Sequence, residues 1–324
     1  MNKKMFEVKR NHHHIWADYL RRWSSDGKNI YYTTNKKNIV LDSVRGVAKE
    51  KDFYKLTDLS SVDINLIRAM SQNSPLELQR HHMRHLSDFI KLDQTYCNYR
   101  ATRQPNPKFE AAHHALKHNL LENLHSAHER RVLPILNRLA EGDLSVLGCL
   151  DQMIKFLMYF GHQFTRTKNF KDAVFSSLPR TNDLECRLAD SMEHAWWFHS
   201  YMMGMNFGKS LFDTRFKDTH ALLVNNSQLQ FIASDQPIIN IHRCLATTPR
   251  NTPPKHADFY YPISPVIAYV ICDSDTFASG INFVDEHQVR QLNEKLARRA
   301  NAHIFGQSRD SLAELVSIIG KDEP

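Results

Sequence analysis

The sequence predicts an α+β fold: a mixed sheet built from N- and C-terminal strands with a large helical insertion in the middle. Three observations carry this. Short runs rich in β-branched and aromatic residues occupy residues 1–60 and return over 217–324, whereas 61–216 carries apolar residues at three and four spacing. No Pro/Gly/Ser-rich linker separates these parts, so the 324 residues read as a single interleaved domain whose two end portions complete one another. Hydrophobic content of 42% with 24% charged residues suits a chain that buries a core rather than a disordered one.

Taken in order, the run NHHHIWADYLRRW opens the chain, and Ile15, Trp16, Tyr19, Leu20 and Trp23 form a short helical pattern. IYYTT at 30–34 and NIVLDSV at 38–44 flank the polar TNKKN and read as a hairpin. Helical periodicity then runs through VDINLIRAM, LSDFIKLDQTY, the long stretch from Phe109 to Leu139, and LSVLGCLDQMIKFLMYFGHQF. Breakers separate these pieces at Ser74-Pro75, Pro105-Asn106-Pro107, Glu141-Gly142-Asp143 and around Pro179. After residue 217, THALLVNN and LQFIASD read as strands joined by Asn225-Asn226-Ser227, and YYPISPVIAYVICD as one further strand with prolines at its start. An amphipathic helix with a short apolar end, VDEHQVRQLNEKLARRANAHIF, and the piece SLAELVSII close the chain.

Composition excludes several classes. Five scattered cysteines without a CxxC step argue against a disulfide framework and against a thiolate zinc site. No stretch nears the ~18 uncharged apolar residues of a membrane span, and MNKKMFEVKRNHHH lacks a signal-peptide core, so a cytoplasmic protein without a membrane partner is expected. Walker, GxGxxG, GxSxG and HExxH patterns are missing. The 42 Lys+Arg against 35 Asp+Glu give a net charge of +7, a modest pull toward an anionic partner such as nucleic acid or a nucleotide.

Histidine is the unusual residue, with 19 copies. His81/His85 and His114/His118 stand at i,i+4, which sets two imidazoles about 6 Å apart at Cβ on one helix face. Glu110/His113 and Glu122/His125 repeat the Glu-x-x-His step of carboxylate-bridged di-iron bundles, but they lie about 18 Å apart along one helix and cannot face each other. The competing reading places these histidines on the polar face and boundary of a helix whose apolar stripe is Leu116, Leu120, Leu121 and Leu124. His13 and His14 differ: they precede the first helical pattern at a chain turn, where an imidazole can serve as base, acid or ligand. Asp235 ends the strand FIASDQPI, and Pro237 stops that strand from continuing. The carboxylate is thereby set at a sheet edge, either to bind a metal, orient a histidine or take a proton, or to cap a backbone N–H. On the closing helix, Asn293 and Arg298 suit an anion, as a solvated amphipathic face also explains the arginine.

These residues resemble the bacterial domain-of-unknown-function family 4238. The family pattern starts HHxxPxxYLxxF, passes a segment near DFY, a Ser-Asp-x-Pro strand end and a Pro-x-x-P strand, and closes on a Leu-Asn helix. The chain offers HHIWADYLRRW at 13–23, AKEKDFYKL at 48–56, FIASDQPI at 231–238, YPISPVIAYVI at 261–271 and LNEKLARRANAHIF at 292–305, in that order. The resemblance maps the family's histidine to His13, its tyrosine to Tyr19, its aspartate to Asp235 and its asparagine to Asn293. Trp16 stands where the family has proline, and Asn73-Ser74-Pro75 is read in place of its Arg-Thr-Pro step, so that arginine has no counterpart there. By analogy the resemblance also implies a toxin-like or anti-phage effector.

The resulting expectation is a nuclease-like hydrolase acting on a phosphate-containing substrate. His13 and His14 would be base or ligand, Asp235 the orienting group or a metal ligand, and Tyr19, Asn293 and Arg298 the substrate contacts. A divalent metal is compatible with that set. The alternative is a non-catalytic binding or interaction protein in which the helical middle is the docking surface.

Overall fold

The computed structural model describes residues 7–13, 15–247 and 254–321. The α+β class holds. Near the N-terminus, β1 (Asn11–His13) pairs antiparallel with β4 (Lys49–Lys51), and α1 (Ala17–Leu20) leads to the hairpin of β2 (Asn29–Thr33) and β3 (Ile39–Ser43). The predicted TNKKN turn closes this hairpin, with Lys37 in the left-handed region at φ 62°.

The helical part starts where a capping box forms: Ser60 accepts from the Asp63 N–H and the Asp63 carboxylate accepts from the Ser60 N–H, opening α2 (Ser61–Ser71). Helix α3 (Leu76–Ala101) follows Pro75. Helix α4 (Pro107–Ala140) starts where the Pro-Asn-Pro breaker places it, with Asn106 accepting from the Phe109 N–H and Pro107 in the first turn. The 144–164 segment, read as one helix, is a 3-10 turn over 144–148 and then α5 (Leu150–Thr165), because the chain becomes extended at Cys149. Helices α6 (Lys168–Ser177), α7 (Asp183–His194) and α8 (Trp196–Thr214) complete the insertion.

Beyond it lie β5 (Thr219–Asn225), β6 (Ala233–Ser234), β7 (Ile239–Asn240), β8 (Asp258–Pro262), β9 (Ile267–Cys272), β10 (Gly280–Val284), α9 (Glu286–Arg299), β11 (Ile304–Gly306) and α10 (Asp310–Ala313). A four-stranded sheet, β3-β2-β11-β6, joins the N-terminal hairpin to C-terminal strands, with Tyr32 opposite Phe305 and Ile304 opposite Ser234. A five-stranded sheet, β10-β5-β9-β8-β7, is mixed, since β10 runs parallel to β5.

Two strand expectations need correction. The strand read over LQFIASD shrinks to the two residues of β6, which lie in a different sheet from β5. The Asn225 side chain accepts from the Ser227 N–H and donates to the Leu229 carbonyl, which turns the chain out of one sheet and into the other. Likewise YYPISPVIAYVICD is a hairpin, β8 paired to β9, whose turn is the stretch 263–266 where Pro265 cannot donate to a ladder.

Aromatic side chains fill the space between the N-terminal segment, the sheet and α5. Tyr19 stacks on Tyr261 with centroids 5.3 Å apart, the Tyr159 and Tyr261 hydroxyls meet at 3.0 Å, and Trp23 donates to the Phe231 carbonyl at 2.8 Å. Helices α5 and α8 touch backbone to backbone through Gly161, Gly204 and Gly208. A Cβ on Gly161 would lie 2.3 Å from the Gly204 carbonyl oxygen, and one on Gly204 2.5 Å from His162 Nδ1. That close approach brings His162 and Tyr201, one from each helix, into ring contact. Among the described residues no helix is long and apolar enough to cross a membrane.

Candidate functional site

Helix α4 buries His113, Ala115, His118, Leu121, His125, Glu129, Val132, Leu136 and Leu139 on one face. This corrects the predicted stripe: Leu116 is 36% exposed, and the histidines at 113, 118 and 125 occupy the interior face. Continuing the apolar Leu139–Val132 step backward by sevens lands on His125 and His118, a register hidden in the sequence because those positions are not apolar. Neither helical pair, His81/His85 or His114/His118, is joined by a third donor at ligand distance among the described residues.

What the buried face of α4 meets is a polar node drawn from distant segments. From α5 come His162 and Gln163 and from its C-cap Arg166, from α8 Tyr201, from the N-terminal strand His13, and from the stretch after β4 Tyr54. The Arg166 guanidinium donates to Glu129 Oε1 at 2.8 Å and to Gln163 Oε1 at 2.7 Å, with only 3% of the arginine side chain exposed. Burial alone would lower the Arg166 pKa, but Glu129 and the tyrosine phenols hold it above its ordinary value, so the guanidinium stays charged. Burial raises the Glu129 carboxyl, and Arg166 opposes that rise. Around this pair the His162 ring lies 4.6 Å from Tyr201 and 4.7 Å from His128, and the His125 ring lies 4.9 Å from Tyr54. Burial, then Arg131 and Arg166, push His128 down to about 4. Burial also holds His125 and His162 well below the ordinary imidazole value, so these rings are neutral at pH 7.

His13 stands at the outer rim, its Nδ1 3.9 Å from Glu122 Oε1, with 26% and 14% of the two side chains exposed. Its neighbour His12 is structural. The Tyr54 N–H donates to His12 Nδ1 at 2.7 Å, so the proton is on Nε2, which donates to the Lys9 carbonyl at 2.8 Å. The node's own polar atoms are not so matched. His13 Nε2, Tyr54 Oη, both ring nitrogens of His125 and of His162, Gln163 Nε2 and Arg166 Nε are buried without a hydrogen-bond partner among the described residues. Native interiors rarely leave such groups alone, and ordered water, an ion or a ligand can supply such bonds.

The other predicted site residues are committed elsewhere. Asp235 orients no histidine: Oδ1 accepts the Asn301 N–H and Oδ2 the Ala302 and His303 N–H groups, at 2.7, 2.7 and 2.8 Å. Those bonds clamp the stretch leading into β11, and the neighbouring Gln236 accepts the Thr167 hydroxyl. Asp235→Ala is therefore expected to destabilise the fold, by about 1–3 kcal/mol for each N–H it strands. A urea melt checks this, and a variant as stable as wild type would contradict it. Tyr19 is fully buried and donates to the Pro262 carbonyl at 2.9 Å. Asn293 accepts the Ile232 N–H and donates to the Gln230 carbonyl, so both ends of its amide hold backbone although it borders a cleft of about 730 Å³. Arg298 donates to the Lys321 carbonyl on the surface. The structure thus brings none of Asp235, Tyr19, Asn293 or Arg298 into hydrogen-bond or ion-pair contact with His13, and His14 lies outside the described residues.

The sequence reading missed Tyr54, Glu129, His162 and Arg166. A signal existed for the arginine: Arg166-Thr167 breaks an otherwise apolar helical run, and it sits in the node whereas Asn73-Ser74-Pro75 supplies no charge.

Compared with known families, residues 11–310 match the model described as Protein of unknown function (DUF4238). No curated protein and no solved structure matches the chain.

Proposed function

The chain belongs to the DUF4238 family, whose description names no reaction, and from its own geometry we propose that it is a hydrolase of a phosphate-containing substrate. The observation that carries this is the convergence of unpartnered, buried polar atoms on a charged Arg166 with His13 at the rim. When the Nδ1–H of His13 points at Glu122, the Nε2 lone pair, buried and unpartnered, would take a proton from a water that enters with the substrate, as a general base. Closure on substrate would shorten the 3.9 Å approach of Glu122. Arg166, fixed by Glu129 and Gln163, supplies positive potential in a low-dielectric site where charge develops on phosphoryl oxygens. The Tyr54 phenol, its pKa raised by burial, stays protonated and serves as a donor. The net charge of +7 draws an anionic substrate in.

Induction in cells tests this, with wild type beside His13→Asn and with DNA, RNA and nucleotide pools followed. Loss of one pool or growth arrest with wild type alone is expected, and this is also the outcome a toxin-like or anti-phage role requires. Identical behaviour of the two proteins would overturn the reading. A non-catalytic binding protein is the second reading, favoured by one observation: the motif residues Tyr19, Asp235 and Asn293 are saturated by backbone hydrogen bonds. It predicts pools unchanged by wild type and recovery of a bound macromolecule that His13→Asn still retains.

A further inference from the structure

At one end of the five-stranded sheet, three chain-distant residues meet. Asp258 opens β8, Asp273 follows β9, and the β8–β9 register sets Asp258 opposite Cys272, so the two carboxylates are neighbours. β7 pairs with β8, and the Ile241 N–H donates to the Asp258 carbonyl, which puts His242 beside them. One donor atom from each of His242, Asp258 and Asp273 lies within 4.8 Å of the others. His256 joins the group, its Nδ1 3.3 Å from Asp273 and its ring 5.2 Å from that of His242.

Asp258 is 1% exposed, and among the described residues no cation lies within 4 Å of its carboxylate. It accepts from the Ser274 N–H, the Ser274 and Thr276 hydroxyls and the Cys272 thiol, and Lys295 acts on it only through space. Buried charges are as a rule paired or bound to metal. Asp273 is exposed, which leaves the group open to solvent on one side.

We propose that His242, Asp258 and Asp273 bind a divalent transition ion, Zn²⁺ or Mn²⁺. An imidazole with two carboxylates is a donor set for such an ion rather than for Mg²⁺ or Ca²⁺, which take oxygen alone. Ligand atoms about 2.1 Å from one ion stand about 3–4 Å apart, within reach of side-chain rotation here. His242 Nδ1 now accepts the Cys244 N–H at 3.0 Å, and it gives up that bond when the ion takes its lone pair. This site shares no residue with the His13 and Arg166 node and stands or falls separately from the hydrolase reading.

The test is titration of full-length, tag-free, chelator-treated protein with Zn²⁺ alone and with Mn²⁺ alone, by calorimetry and elemental analysis. One saturable equivalent of at least one ion and a raised thermal midpoint are expected. Asp273→Asn, at an exposed position, should weaken that equivalent about tenfold or more, and so should His242→Gln. Because other histidines also bind metal, an equivalent that survives both substitutions overturns the assignment, as does the absence of saturable binding in wild type.

Discussion

Glu129→Ala is expected to lower the unfolding free energy by about 3–5 kcal/mol, the largest effect of any single change in the node. Arg166 keeps its charge with 3% of its side chain exposed, and removing Glu129 leaves that charge with Gln163 as its remaining partner. Removing both charges should hurt less than removing one. The Glu129→Leu, Arg166→Met double variant is expected to recover most of the loss, because a buried pair can be exchanged for apolar groups of similar volume near break-even. Urea melts of the two single variants and the double variant form a cycle with large coupling. Additive losses would mean that the two side chains do not act as a pair.

The second large effect is acid lability. His82, His128 and His199 are each pushed down to about 4, mainly by burial, and burial also holds His125 and His162 well below the ordinary imidazole value. In the unfolded chain all titrate near 6.5. Below that pH the unfolded state binds more protons than the folded one, so stability falls as pH drops from about 6.5 toward 4, and it is flat with respect to these groups above 7. The shifts of His128 and His199 each correspond to roughly 3 kcal/mol by pH 4, at about 1.4 kcal/mol per unit. The groups facing them are Arg131, Arg166 and His85 on one side and Asp63 on the other. Denaturation midpoints should therefore drop steeply between pH 6.5 and 4.5, and His128→Gln should flatten the slope. A midpoint unchanged between pH 7 and 5 would show that these rings are already protonated or exposed.

Much of the architecture was legible because local signals agreed with tertiary packing. Pro105-Asn106-Pro107 both stops α3 and caps α4, whereas IF at 304–305, read as the apolar end of the closing helix, is instead the strand β11 that ties the two ends of the chain together. Signals failed where two different structures share one composition. A run of apolar residues with two prolines is a strand or a hairpin turn, and only pairing of Tyr261 with Tyr269 decides. β10 escaped notice because its Ile281 and Phe283 face solvent, so nothing in its pattern pointed to a buried face.

Of the residues in the proposed node, the sequence singled out His13 and, on α4, His125. Asp235 divided evenly between chemistry and capping when read as a turn, and three backbone N–H groups on its carboxylate settle what it does in the fold. Counting 19 histidines could not separate a matched ring such as His12 from unmatched ones such as His125 and His162, because that difference is made by neighbours far away in sequence. Arg166 finds Glu129 across 37 residues, a pairing that no local spacing announces.

The proposed role of His13 is that of a base acting on a phosphate ester within this node. It is tested most directly by kcat/KM of wild type and His13→Asn on model phosphomonoesters and phosphodiesters, at matched thermal midpoints. Turnover by wild type on one of the two ester classes and a loss of about a hundredfold or more in the variant are expected. Equal turnover by the two proteins, or none by wild type on either class, would contradict it.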